Sequence, residues 1–184
     1  MATSDVSSTH CKMEPSLWQW AATLVSLAAL AGSLYLTIGM GLKACPLCYY
    51  QRTFVMAVVA ILVAGLFITD LRPSIATLLA LPLAVAGLAV AGYHEYLVLT
   101  GALECPLGPF GIGKAPEQSL AVLGLLSLLL IADQLKQRSV TAILASIVLG
   151  GLLAFSGIMS TGRGCCPDYN LPLDEDMCRK AKQP

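Results

Sequence analysis

The residues best suited to chemistry lie in one short run, Cys45-Pro46-Leu47-Cys48-Tyr49-Tyr50-Gln51-Arg52. Two residues between cysteines let both sulfurs meet when the chain turns into a helix. A thiol at a helix N-terminus is stabilised as thiolate by the unpaired amide groups and the helix dipole. Arg52 lies one helical turn beyond Cys48 and can fall on the same face. Its permanent charge suits a thiolate or an anionic reduced cofactor. The plainer use of Arg52 is an anchor at headgroup level. The same cysteine spacing also serves zinc sites and structural disulfides. Redox use is preferred here, because the pair sits at the mouth of an apolar segment beside an arginine, and no resident metal is expected.

The elements that must position this run are read from composition. Of 184 residues, 57% are hydrophobic and 12% charged, where a soluble protein carries about 25% charge. The apolar residues cluster into uncharged stretches close to the roughly 20 residues that cross a bilayer. Five spans are predicted, at about 17–40, 53–69, 74–97, 118–135 and 140–160, between a polar N-terminal tail (1–16) and a C-terminal tail (161–184). Ala29-Leu30-Ala31 fits a signal-cleavage pattern. The apolar run continues past it with only Lys12 upstream, so the segment is read as a retained span. Lipid offers no partner to unpaired backbone groups, and no alternating barrel pattern is visible. The expected fold is therefore an all-α polytopic transmembrane bundle. Gly87, Gly92 and the Gly150-Gly151 pair are expected to let helices approach closely. Zero net charge argues against a nucleic-acid partner or a polybasic anchor.

Five spans put successive loops on alternating sides. Cys45, Cys48, Cys105, Cys165, Cys166 and Cys178 then share one side, and Cys11 alone falls on the other. That segregation makes sense if the shared side is oxidising. Basic residues do not fix the orientation: the short loops tie, and Arg179, Lys180 and Lys182 tip the count the wrong way. The cysteines are given more weight, because a basic residue beside a reactive thiol can serve chemistry. The loop Gly108-Pro109-Phe110-Gly111-Ile112-Gly113 lies between spans and lacks the Lys-Ser/Thr ending of a phosphate loop. It is read as a flexible segment carrying Cys105.

Cys-x-Leu-Cys-x-x-Gln-Arg at the mouth of a second transmembrane helix resembles the signature of the disulfide bond formation protein B (DsbB) family. The resemblance runs from about Leu17 to Leu135 and includes a cysteine after the third span. It implies a four-helix core and a multi-pass protein of the inner (cytoplasmic) membrane, with redox cysteines facing the periplasm or exterior. The implied activity is oxidation of an exported thioredoxin-like dithiol protein, with electrons passed to a quinone, ubiquinone or menaquinone. Carried over, Cys48 is the quinone-facing thiol, Cys45 exchanges with a second cysteine pair, and Arg52 contacts the quinone. Cys105 resembles the loop cysteine that forms the mixed disulfide with the partner. His94, ending the third span, resembles a histidine near the quinone, although a lone interfacial histidine is commonly just hydrogen-bonded.

The chain departs from that pattern in having a fifth span and a cysteine-bearing tail, and in lacking a second cysteine in the 100–116 loop. The tail is expected to return to the same surface and supply the missing partner. Joining adjacent Cys165 and Cys166 strains the bridge. This leaves Cys105 with Cys165 and Cys166 with Cys178, or Cys105 with Cys166 and Cys165 with Cys178, so Cys178 is a structural disulfide candidate. Two other readings stand beside this one. One is a vitamin K epoxide reductase-like quinone-linked oxidoreductase, which typically carries its Cys-x-x-Cys near a late helix. The other is a non-enzymatic membrane protein with stapled loops or a soft metal.

Overall fold

A computed structural model describes residues 16–39, 45–68, 73–102, 113–138 and 140–161. It contains α1 (Leu17–Leu34), α2 (Pro46–Phe67), α3 (Pro73–Leu99), α4 (Ala115–Lys136) and α5 (Val140–Ser160), with α1 running on into a π-helical turn, Tyr35–Gly39. All five are long and apolar enough to cross a membrane. The protein is a multi-pass helical membrane bundle.

Each start follows from local chemistry. Ser16 caps α1, its hydroxyl accepting the amide of Gln19 at 3.1 Å. At α2 the cap is Cys45, whose sulfur accepts the Cys48 amide at 3.2 Å, and proline occupies the first turn. That proline start explains why α2 begins at Pro46 although hydropathy places the span near 53. Tyr49, Tyr50, Gln51 and Arg52 dilute the apolar average while the backbone is already helical. At α4 the Glu117 carboxylate accepts the Lys114 amide at 3.3 Å. Between α4 and α5 the chain reverses through Arg138, at φ 54°, a left-handed position of the kind that ends helices.

The central element is α3. It packs on α2, α4 and α5, while α1 closes the opposite side against α2 and α4. Small side chains make this possible: Ala76, Ala80, Ala84, Ala86 and Ala91 of α3 are all fully buried. Gly150 brings α5 so close that a Cβ there would lie 2.7 Å from the Pro82 carbonyl oxygen and 2.8 Å from Val85. Gly87 also sits in an interface, whereas Gly92 and Gly151 face open space rather than a neighbouring helix.

One end of the bundle is tied by polar groups. Asp133 of α4 is buried, and its carboxylate accepts the hydroxyls of Ser16 at 2.6 Å and Thr77 at 2.7 Å. Gln134 donates to Thr77 Oγ1 at 2.8 Å and to the Ser74 carbonyl at 3.2 Å. The starts of α1 and α3 and the end of α4 are thereby joined. The opposite end holds the cysteine pair, packed in a separate apolar cluster with Leu47, Ala86, Val90 and, from α5, Ala154.

Candidate active site

Cys45 caps α2 and Cys48 follows one turn later, so the helix geometry itself points both sulfurs the same way. They stand as thiols, 2.8 Å apart. A disulfide is about 2.05 Å long, so closing the bond needs movement of less than about 1 Å. Cys45 is buried, 4% exposed, while Cys48 is half-buried.

His94, near the end of α3, reaches across to both. It is fully buried, with Nε2 3.9 Å from the Cys45 sulfur and Nδ1 3.9 Å from the Cys48 sulfur. The side-chain amide of Gln51 lies 3.4 Å from His94 Nδ1. With Gln51 Nε2 as donor, Nδ1 accepts and Nε2 carries the proton that faces Cys45. One imidazole can thus take a proton from the Cys48 side while donating a hydrogen bond to Cys45.

Electrostatics favour the Cys45 thiolate. Hydrogen bonding from Cys48 is the largest influence lowering its pKa; burial opposes this, and the hydrogen bond and charge of His94 and the Cys48 amide add to the lowering. Cys45 therefore ionises well below the ordinary thiol range.

Arg52 sits one turn beyond Cys48 but leans the other way, towards α1. Its Nε donates to Ser33 Oγ at 3.0 Å, and one Nη donates to the Ser33 carbonyl at 3.0 Å and to Thr37 Oγ1 at 2.5 Å. The other, Nη1, meets no acceptor among the described residues. Thr37 lies in the π-helical turn, a feature frequent at functional sites. Beside this clamp the surface is apolar and aromatic: Tyr35, Ile38 and Tyr49 are all largely exposed.

Of the residues singled out from sequence, Cys45, Cys48 and His94 come together, and Arg52 borders them on the α1 side. Cys105, Cys165, Cys166, Cys178 and Cys11 lie outside the described residues. Gln51, Ser33 and Thr37 contact His94 and Arg52, and the sequence reading did not name them as site residues. Gln51 could have been flagged as the residue one turn before Val55 on the buried face of α2; Ser33 and Thr37 offered no such cue. Tyr50 is another addition: its hydroxyl pairs with Ser160 Oγ at 2.7 Å, tying the end of α5 to the helix that carries the thiols.

A membrane-spanning helical bundle with two thiols at one helix start, bridged by a buried histidine, defines a membrane thiol-disulfide oxidoreductase. The family profile described as "Disulfide bond formation protein DsbB" matches residues 15–118, and the chain belongs to that family. It is 33% identical over 116 residues to a disulfide bond formation protein B from Herminiimonas arsenicoxydans, covering 63% of this chain and 72% of that protein. It is also 31% identical over 83 residues to a disulfide bond formation protein B 1 from Pseudomonas fluorescens (strain Pf0-1), covering 45% of this chain and 49% of that one. No solved structure gives a significant match. The matched region holds α1 to α3 and the dithiol; α5 lies beyond it.

Proposed function

We propose that this protein oxidises an exported thioredoxin-like dithiol protein and passes the electrons to a membrane quinone, either ubiquinone or menaquinone. The observation that carries the reading is the near-bonded Cys45–Cys48 pair at the end of an apolar bundle, with a cationic Arg52 one turn away. The donor set fits a quinone. Arg52 keeps Nη1 for a carbonyl oxygen, and the surrounding Tyr35, Ile38 and Tyr49 present the apolar surface that a lipid-soluble ring needs. When bound, the quinone supplies a two-electron, two-proton acceptor.

The chain's own residues do the rest. A thiolate of the partner attacks a disulfide containing Cys105, and the mixed disulfide is resolved by the partner's second thiol. The two thiols released then reduce a Cys45–Cys48 disulfide by exchange, at a rate set by thiolate fraction and leaving-group pKa. His94 lowers the cost of the Cys45 thiolate as a leaving group and accepts the Cys48 proton. Half-exposed Cys48 is the thiol offered to the acceptor, while Arg52 stabilises negative charge that develops there. The disulfide reforms and the dithiol's two electrons have left.

Helix polarity supports the placing of the second pair. Cys45 at the start of α2, Ala102 after α3, Lys114 before α4 and Thr161 after α5 all mark the same end of the bundle. Cys105 lies three residues beyond Ala102 and Cys165 four beyond Thr161. Those lengths of chain reach at most about 10 and 14 Å, which supports a second pair acting at the dithiol end. The inner membrane, with that end facing the periplasm or exterior, is the location this chemistry requires.

The test uses detergent-solubilised full chain with a reduced thioredoxin-like protein and a soluble quinone. Quinone reduction should vanish in Cys45→Ser and in Cys48→Ser; full turnover in either variant rejects the proposal.

A further inference from the structure

The thiol pair and His94 also form a ligand set. One sulfur from each of Cys45 and Cys48 and one ring nitrogen of His94 all lie within 4.8 Å of one another, the one such group of three among the described residues. Two thiolates and an imidazole are the ligands that zinc prefers, at about 2.3 Å for sulfur and about 2.0–2.1 Å for nitrogen. Tetrahedral bonds of those lengths put the sulfurs about 3.8 Å apart and each sulfur about 3.5 Å from the nitrogen. The Cys45–Cys48 separation of 2.8 Å must open by about 1 Å, and the 3.9 Å from the Cys45 sulfur to Nε2 must close by a few tenths. The 3.9 Å contact of the Cys48 sulfur is to Nδ1, so that sulfur must swing towards the Nε2 side of the ring. Cys48 is only half-buried, so its side chain has room to make that move.

The surroundings favour the same geometry. Nε2 is freed for an ion when the ring takes its other tautomer and the Gln51 amide turns so that its oxygen accepts Nδ1–H, the outer-shell arrangement that metal-binding histidines usually show. The three ligands come from two helices that already pack tightly, α2 and α3, so little ordering remains to be done.

We propose that the reduced Cys45–Cys48 pair, together with His94, captures one Zn2+ ion, and that this holds the protein in its dithiol state. Capture is an exchange of charge without electron transfer: two sulfur–zinc bonds and one nitrogen–zinc bond form, and two thiol protons are released. A disulfide has no thiolates to offer, so zinc binding and oxidation of the pair are mutually exclusive. The fourth coordination position is left to water. Zinc reaching the exported side thus acts as a brake on reoxidation of the pair.

The decisive experiment needs no quinone, so its failure is separable from failure of the oxidase reading. Full-length protein with Cys11, Cys105, Cys165, Cys166 and Cys178 replaced by Ser is reduced, desalted without oxygen and titrated with zinc chloride against a chromophoric chelator. One zinc per chain is expected, with none in the disulfide form. Affinity should fall more than about tenfold in Cys48→Ser and in His94→Ala, tenfold being the lower end of what even an outer-shell change costs. Cobalt substituted for zinc should show thiolate charge-transfer and tetrahedral bands. In the natural chain, zinc should protect Cys45 and Cys48 from N-ethylmaleimide, a readout that does not depend on the variants folding. Absence of protection, or equal zinc affinity in the dithiol and disulfide forms, overturns the proposal.

Discussion

The clamp on Arg52 makes a prediction that separates a quinone-binding arginine from a headgroup anchor. Three hydrogen bonds hold the guanidinium to α1: two involve the side chains of Ser33 and Thr37, and one the Ser33 carbonyl. Thr37→Val removes one side-chain bond with little change in shape, and Ser33→Ala removes another. A hydrogen bond to a charged group contributes about 1.5–3 kcal/mol. Arg52 is half-buried, so water replaces part of each loss, leaving about 1 kcal/mol per bond as the cost of a wandering guanidinium. Each 1.4 kcal/mol is about tenfold. The single Thr37→Val change should therefore raise the KM for quinone about fivefold, and the double variant about 30-fold. The assay follows quinone absorbance in detergent with a small dithiol as electron donor, which removes any dependence on the natural partner. Alkylation of Cys48 should proceed at the wild-type rate, because neither substitution touches the dithiol. A KM within twofold of wild type in a well-folded double variant would mean that Ser33 and Thr37 merely park a membrane anchor.

Two further substitutions test the frame around the site. Asp133→Ala removes the carboxylate that accepts the hydroxyls of Ser16 and Thr77 at the far end of the bundle, and should cost about 1–3 kcal/mol. It should lower the thermal midpoint in detergent while leaving turnover per folded molecule unchanged at low temperature; an unchanged midpoint would show that the carboxylate ties nothing. Gly150→Val drives a side chain into the Pro82 carbonyl and Val85, an overpacking cost of about 1–3 kcal/mol. It should slow oxidation of a thioredoxin-like protein more than oxidation of a small dithiol, and equal slowing of both would contradict a role for α5 in partner exchange.

Span number and helix type were legible because the bilayer demands a length and an apolar composition, and α1, α3 and α5 supply both without interruption. The thiol pair was legible because Cys45-Pro46 is also a helix start, which puts chemistry and architecture in the same four residues. The true start of α2 was hidden by that same coincidence. Tyr49, Tyr50, Gln51 and Arg52 look like a loop to a hydropathy average, yet they form the first turns of a helix. Asp133 and Gln134 were hard to place for a related reason. Charge and amide groups suggest a span end, but Ser16, Thr77 and Ser74 satisfy them, so both are buried inside the bundle. The clamp of Ser33 and Thr37 on Arg52 left no trace, because residues 15 to 19 apart in sequence meet only through the crossing of α1 and α2. The π-helical turn at Tyr35–Gly39 has no pattern of its own to read.

The fifth helix changes what the other four can do. In a ring of α1 to α4, the outer face of α3 around Val85 would meet lipid. Here α5 covers it, and Ala154 becomes part of the apolar wall around the thiols. Gly157 of α5 lies over the ring of Tyr50, and Ser160 bonds the Tyr50 hydroxyl, two residues from Cys48. An even number of spans would return the C-terminus to the side of the N-terminus. The odd one delivers Thr161 to the dithiol end. A loop after α3 that carries Cys105 alone lacks a partner thiol within itself. The proposed exchange needs that thiol from elsewhere in the chain, and α5, docked along α3 and bonded to Tyr50 two residues from Cys48, ends on the side where it is needed.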